Sequence, residues 1–433
     1  MRALILDGSS AGDPTGGRVL TALRHEMQSR AWEVDHVLLR EKKVGNCAGD
    51  FFCWIRDPGV CNIDDDNRRI ARQAANCDLL VFLTPVTYGG HSSVLKSAVD
   101  HLNQNSLPFF TQVSGEVHHP ARYRHKSKLL VLGWMDAPDP QEEAVFHHLA
   151  QRNAINLHNS AHVSGIVYAG QPDHVLTGSI GTWVEQVDRG VSSSPGEIFV
   201  PQAVRPTSPI RNALLLVGSP RGRKSTSQSL GGYLFQKLAG CGIQTETVSL
   251  YPALGSRLRI AALREAIDSH DLIVLAFPLY ISALPGPVTR ALELIQAQRA
   301  GKPRGQAFAA IVNSGLPETV QNRTALAICA AFARRIGWTW MGGLALGGGY
   351  GVVNGTPLDE LGWRGNSIRA SLDLTAASLA AGDPVPEEAV RLMSKQRIPK
   401  WMILLVGPLG WIVKARKFGV AMSLRRKPYL AGS

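Results

Sequence analysis

Twice in this chain an apolar run ends in Gly-Ser and opens into a hydroxyl-rich loop, at Gly8-Ser9-Ser10 and at Gly218-Ser219-Pro220. Twice a later apolar run ends in a proline loop. Leu79-Leu80-Val81-Phe82-Leu83 leads into Thr84-Pro85-Val86-Thr87-Tyr88-Gly89, and Leu272-Ile273-Val274-Leu275-Ala276-Phe277 leads into Pro278-Leu279-Tyr280. Strands that are apolar at nearly every position need cover on both faces, which a parallel sheet flanked by helices provides. The duplication therefore predicts two copies of one α/β unit rather than a solenoid of short repeats.

The rest of the pattern agrees. In the first half, strands are expected near 3–7, 34–39, 79–84, 129–133 and 163–169, with helices near 15–30, 64–76, 91–105, 140–156 and 178–189. In the second half, strands are expected near 213–218, 245–250, 272–277, 307–312 and 343–347, with helices near 226–239, 258–269, 286–299, 318–336 and 359–381. Each half reads as a doubly wound, five-stranded parallel sheet. The Ser/Pro/Gly-rich stretch from Val191 to Pro209 reads as a linker. The expected divisions are 1–192, a linker at 193–209, a second domain at 210–385 and a tail at 386–433. The first copy has the longer path from its Gly-Ser to its proline, and the extra length falls in a cysteine-containing loop.

The two loop types suit two parts of one ligand. A hydroxyl-rich turn before a helix offers backbone N–H groups and the positive helix end to a phosphate. In the first copy this implicates Ser9, Ser10, Thr15 and Gly16. In the second it implicates Ser219, Arg221, Ser225, Thr226 and Ser227, with Arg223 and Lys224 adding charge. A Pro-aromatic turn at the next strand end suits a flat ring, through Pro85, Val86, Thr87, Tyr88 and Gly89, and through Pro278, Leu279 and Tyr280. A third loop should reach the same ring, from Gly133-Trp134-Met135-Asp136 or from Asn313 to Glu318. Together these point to flavin mononucleotide, at one site or two. Neither phosphate loop has the Gly-x-x-x-x-Gly-Lys-Ser/Thr or Gly-x-Gly-x-x-Gly form, which disfavours an ATPase or a dinucleotide-binding dehydrogenase.

Both halves resemble the NAD(P)H-dependent FMN reductase family, whose fold is flavodoxin-like. The likeness lies in Thr84-Pro-Val-Thr-Tyr-Gly-Gly-His-Ser-Ser-Val-Leu-Lys-Ser-Ala-Val-Asp100, in Gly218-Ser-Pro-Arg221, in Ser314-Gly-Leu-Pro-Glu318 and in Gly347-Gly348-Gly349. It implies two tandem flavodoxin-like domains, noncovalent FMN, electrons from NAD(P)H, and a quinone, flavin or similar small acceptor. No side-chain nucleophile or base is required, so no catalytic residue is assigned. The family also suggests a homodimer, although two tandem domains could pair internally. The competing reading is an electron-transfer or scaffold protein in which one flavin site has degenerated. The first copy, whose ring loop resembles the family's more closely, is expected to bind, and the second, with the richer phosphate loop, is a candidate as well.

Cys47, Cys53 and Cys61 lie in one loop that resembles the cysteine segment of iron–sulfur flavoproteins, with Asp50 where a further cysteine is expected. Lacking that ligand, the loop is read as packing around a buried Trp54, with no metal assigned. Asp64-Asp65-Asp66 should begin the next helix, and Cys77 and Cys329 read as core. His91 and His101 flank the helix after the first ring loop and are expected at the surface.

The six cysteines form no disulfide framework, so a reducing, cytoplasmic setting is expected. A net charge of +12 suits anionic small ligands, and its scatter disfavours nucleic acid. From Trp401 to Val413 the tail is apolar but shorter than a membrane span, and basic residues follow. That composition is compatible with a peripheral membrane contact. The simpler expectation is packing on the second domain or on a dimer partner, since Gly407, Pro408 and Gly410 weaken a continuous helix.

Overall fold

The computed structural model describes residues 1–194, 196–299 and 305–430. It divides into two compact units, Met1–Ile198 with Lys400–Ser433, and Phe199–Pro399.

The first unit carries strands β1 (Arg2–Asp7), β2 (Glu33–Leu38), β3 (Leu79–Pro85), a short hairpin of β4 (Thr111–Val113) and β5 (Glu116–His118), then β6 (Lys128–Met135) and β7 (His162–Tyr168). The main sheet has the order β2-β1-β3-β6-β7, parallel throughout. The second unit repeats it with β8 (Asn212–Val217), β9 (Gln244–Ser249), β10 (Leu272–Pro278), β11 (Ala307–Asn313) and β12 (Thr339–Leu346), in the order β12-β11-β10-β8-β9. The duplicated five-stranded parallel sheets are those expected from the apolar runs. Leu4, Ile5, Leu6, Leu214, Leu215 and Leu216 are all fully or almost fully buried, and each contributes on the order of 1.5–3 kcal/mol.

In both units the first strand stops where the chain order reverses, between β1 and β3 and between β8 and β10. The glycine that follows is imposed by packing. A Cβ on Gly8 would lie 2.7 Å from the Cβ of Leu95, and one on Gly218 would lie 2.5 Å from a methyl of Val288. The repeated Gly-Ser is thus partly a close approach of the loop to the helix after the ring turn.

The segment after 385 departs from expectation in two ways. Helix Glu387–Ser394 belongs to the second unit, where Ala389 and Met393 enter the core. Residues 400–430 join the first unit and not the second. They form a helix, Lys400–Arg416, that runs through Gly407, Pro408 and Gly410. Burial of Ile403, Trp411 and Ala415 outweighs the weak intrinsic helix preference there. Gly407 is needed because a Cβ would lie 2.5 Å from the Phe110 ring. Beyond the helix, the buried Arg122 guanidinium donates to the carbonyls of Leu424 and Arg426 and, on its other side, to those of Gln104 and Ser106. Tyr429 donates its hydroxyl to Gln104 Oε1 at 2.8 Å. Among the described residues no helix is long and apolar enough to cross a membrane.

Candidate functional site

The two phosphate-loop positions share a backbone plan and differ in chemistry. Each helix after the Gly-Ser loop starts with an N-cap whose side chain accepts the N–H three residues on. In the first unit the cap is Asp13, accepting from Gly16 at 2.9 Å. In the second it is Ser225, accepting from Gln228 at 3.1 Å. The other Asp13 oxygen accepts the Trp134 indole N–H at 2.8 Å. That indole closes over the helix start, since a Cβ on Gly16 would lie 2.7 Å from it. The residue before Gly8 is Asp7, 3 % exposed, where the second unit has Val217. Burial raises the Asp7 carboxyl, but hydrogen bonds with His36 and Ser9 outweigh it and hold it below the usual carboxylate range. Arg40 bonds the Ser9 hydroxyl at 2.9 Å. The first helix start is therefore filled by the chain's own carboxylate and indole, with a second carboxylate behind it.

The second loop is cationic. Arg221, Arg223 and Lys224 stand in it, and Arg221 donates to Asn354 Oδ1 at 3.1 Å. Its hydroxyls are mostly engaged within the chain. Ser225 Oγ donates to the Gly222 carbonyl at 2.7 Å, Thr226 Oγ1 to the Gly349 carbonyl at 3.4 Å, and Ser227 Oγ accepts from Asn313 at 2.9 Å. Ser219, Ser225, Thr226 and Ser227 are all buried. What the loop offers an anion is chiefly its three cations and the positive helix end.

The ring loops also share a plan. Val86 N–H donates to the Trp134 carbonyl and Leu279 N–H to the Asn313 carbonyl, tying each proline turn to the next strand end. Thr87 and Gly90 then exchange two backbone hydrogen bonds around Tyr88 and Gly89, as Tyr280 and Ala283 do around Ile281 and Ser282. All four central residues have positive φ. The structure thus pairs Tyr280 with Thr87 and not with Tyr88. Tyr88 is 2 % exposed, so its ring is packed inside rather than displayed in the cleft. Tyr280 is only partly covered. Pro85, Val86 and Thr87, and Pro278 and Leu279, are also partly exposed at their strand ends. Ser10 is exposed, while Thr15, Gly16 and Gly89 are buried.

The third loops likewise diverge. Trp134 and Asn313 occupy the same register beside the two prolines. Trp134 reaches back to Asp13, whereas Asn313 bridges Ser227 Oγ and the Phe277 carbonyl. Gly347 lies where a Cβ would meet the Pro317 carbonyl oxygen, and Gly348 and Gly349 N–H groups bond Leu316 and Ser314.

His91 and His101 are buried, contrary to the expected surface positions. His91 shares a hydrogen bond with Asn153 at 3.0 Å and lies edge-on to Phe82 and Phe146. Burial, with Lys96 nearby, pushes its pKa down to about 3. Lys96 forms a buried ion pair with Asp100 one turn on, and burial lowers its pKa against the pull of that carboxylate. His101 Nε2 is 2.8 Å from the Gly45 carbonyl and its Nδ1 is 3.6 Å from Cys61 Sγ.

In the cysteine loop, Cys47, Cys53 and Cys61 are free thiols close enough to influence one another electrostatically. Although Cys47 as a residue is partly exposed, burial pushes its thiol up to about 12. Burial also raises Cys53 and Cys61. Asp50 accepts from Phe52 N–H and Asn62 Nδ2, which makes it an anchor of the loop's own fold. Among the described residues no three such groups converge as a metal site. Asp50, the position where a further cysteine is expected, is thus committed to holding the loop. Trp54 is buried between Phe51, His119 and Trp411, and Asp65 caps the next helix as expected.

A family description, NADPH-dependent FMN reductase, matches residues 1–158 and 212–343, more than half of the chain. The chain belongs to this family. A curated relative, the iron-sulfur flavoprotein of Archaeoglobus fulgidus, is 26 % identical over 102 residues, covering 24 % of this chain and 46 % of that protein. The chain thus matches about half the length of that relative. Among solved structures, an NAD(P)H:quinone oxidoreductase from Methanothermobacter marburgensis is 11 % identical, covering 43 % of this chain and 97 % of the other, with a TM-score of 0.34. An FMN-dependent NADH-azoreductase from Bacillus anthracis is 13 % identical, covering 39 % and 99 %, with a TM-score of 0.31. At these identities and scores neither structure bears on function.

Both halves fall within the reductase family match, so membership alone does not choose between the loops. Asp7, Asp13 and Trp134 mark the chemical difference between the two helix starts. Their role was not evident from spacing, because an acidic N-cap is an ordinary helix start.

Proposed function

We propose that the protein is a flavin-dependent NAD(P)H oxidoreductase whose FMN is held by the second unit, and that the first unit is a flavodoxin-like partner without a phosphate site. The observation that carries this reading is the contrast at the two helix starts. Ser225 with Arg221, Arg223 and Lys224 suits a phosphate dianion, whereas Asp13, Asp7 and the Trp134 indole repel or displace one. When bound, FMN accepts hydride from the nicotinamide and passes electrons to a quinone, flavin or similar small acceptor. The chain's own part is to hold and orient. The loop cations would neutralise the phosphate, beside the first-turn N–H groups of Thr226 and Ser227. The tight turn Tyr280–Ala283, with its partly exposed Tyr280, and the Asn313–Leu316 loop would hold the isoalloxazine. The six free cysteines support a reducing, cytoplasmic setting.

The test is the absorbance of purified protein at about 450 nm, where oxidised flavin absorbs, with a count of flavin per chain. One flavin per chain is expected, lost in Ser219→Asp and retained in Thr87→Trp. Absence of flavin, or its loss only in Thr87→Trp, would overturn the assignment.

A further inference from the structure

The helix Lys400–Arg416 is apolar on two opposite sides. Its inner row, Ile403, Gly407, Trp411 and Ala415, recurs every fourth residue and packs on the cysteine loop and the hairpin. Trp411 meets Phe51 and Trp54 at ring separations of 5.1 and 5.2 Å, and Gly407 meets Phe110. Its outer row has the same spacing and is open to solvent: Trp401, Leu405, Leu409 and Val413 are 61, 70, 57 and 56 % exposed. Met402 and Val406 widen this row. A helix that is apolar all round is normally buried all round, and an exposed stripe of this kind marks a contact surface.

The surrounding charge identifies the partner. From Ala389 to Ser433 the sequence contains no Asp or Glu, while Lys414, Arg416, Lys417, Arg425, Arg426 and Lys427 follow the stripe. Arg416, Lys417, Arg425 and Arg426 are exposed. A second copy docking through this face by two-fold symmetry would set these cations against their own counterparts, with no acid in the segment to offset them. An anionic bilayer supplies both complements, acyl chains for the stripe and phosphates for the cations. The helix is too short to span, and Trp401 at its start suits the headgroup region. We propose that this outer face docks the protein in the plane of an anionic lipid surface, with the cysteine loop on the helix's other side. The inference does not rest on the flavin reading, and flavin content is followed separately.

The experiment is flotation of the full-length chain with vesicles of phosphatidylcholine alone or mixed with phosphatidylglycerol. Two variants accompany it, Leu405→Glu/Leu409→Glu and Arg416→Glu/Lys417→Glu. These side chains are exposed, so thermal unfolding should match that of the parent protein. The parent should float with the anionic vesicles and not with phosphatidylcholine, and added salt should weaken it. Each double variant should lose at least about tenfold in bound fraction. Absence of flotation with anionic vesicles overturns the proposal, as does flotation that neither variant alters. Sedimentation of lipid-free protein is the second measurement. A dimer abolished by Leu405→Glu/Leu409→Glu, without flotation of the parent, would make the stripe an interface between copies and also overturn the proposal.

Discussion

The two units have the same sheet order, the same N-cap geometry and the same two-residue turn after the proline, yet they put opposite charge at the same place. Asp13 in the first corresponds to Ser225 in the second, Asp7 to Val217, and Trp134 to Asn313. The buried Lys96–Asp100 pair in the helix after the first ring turn also has no ionic equivalent at the matching positions, Thr289 and Glu293. Duplication preserved the backbone plan while the polar side chains diverged. A flavodoxin-like backbone therefore sets where an anion could bind, and a few side chains decide whether it does.

The comparison can be broken most directly by giving the second loop the first one's cap. Ser225→Asp places a carboxylate against the phosphate and should weaken FMN by about 4 kcal/mol, roughly 1000-fold. Fluorescence titration of apoprotein with FMN measures this, and unchanged affinity would move the site elsewhere. The next largest effect concerns the tail, which belongs to the first unit. Arg122→Ala leaves four carbonyls without their buried donor and should cost about 3 kcal/mol. Limited proteolysis should then release the segment after Lys400, and a tail that stays protected would count against the clasp.

Acid should also separate the units, because twelve of the 13 histidines lie in the first. Burial lowers His91 to about 3 and His119 to about 4, from ordinary values near 6.5. Both are neutral in the fold, whereas the unfolded chain takes up protons below about pH 6.5. Their contribution is full above pH 6.5 and is lost as pH falls toward 4 and 3. Glu116, held down to about 2 because bonds from His118 and Arg152 outweigh burial, adds to the loss below 4.5. Urea unfolding at pH 7 and pH 4.5 should show the first unit weakening, with His91→Gln reducing the change by ~2 kcal/mol. Equal weakening of both units would contradict this. The smallest effect distinguishes the ring turns. Tyr280→Ala should weaken FMN about tenfold, and Thr87→Ala should leave it unchanged. The reverse outcome would favour the first unit as the flavin holder.

Much of this architecture was legible in the sequence because apolar runs and Gly/Pro punctuation are local signals. The ten main-sheet strands follow from them, and so does the position of both Gly-Ser loops. The difference between the two loops was not, because it depends on Trp134 reaching a helix start more than a hundred residues away. His91 was misplaced for a related reason. Its burial is made possible by Asn153 and two phenylalanine rings that sequence spacing does not bring to it. The tail's destination was equally nonlocal, since an apolar, basic segment carries no address. Arg122 and Gln104 supply that address.

That clasp has a consequence for synthesis. The first domain is built from two separated stretches of chain, with all of Phe199–Pro399 between them. On the ribosome, residues 1–198 emerge well before the segment that completes them. At about 5–20 residues per second, the intervening domain delays closure by roughly 10–40 s. During that interval Phe51 and Trp54 lack Trp411, and the loop bearing Cys47, Cys53 and Cys61 is without its cover. The nascent chain thus passes through a stage in which the aromatic side chains of this loop await the tail rings that pack on them.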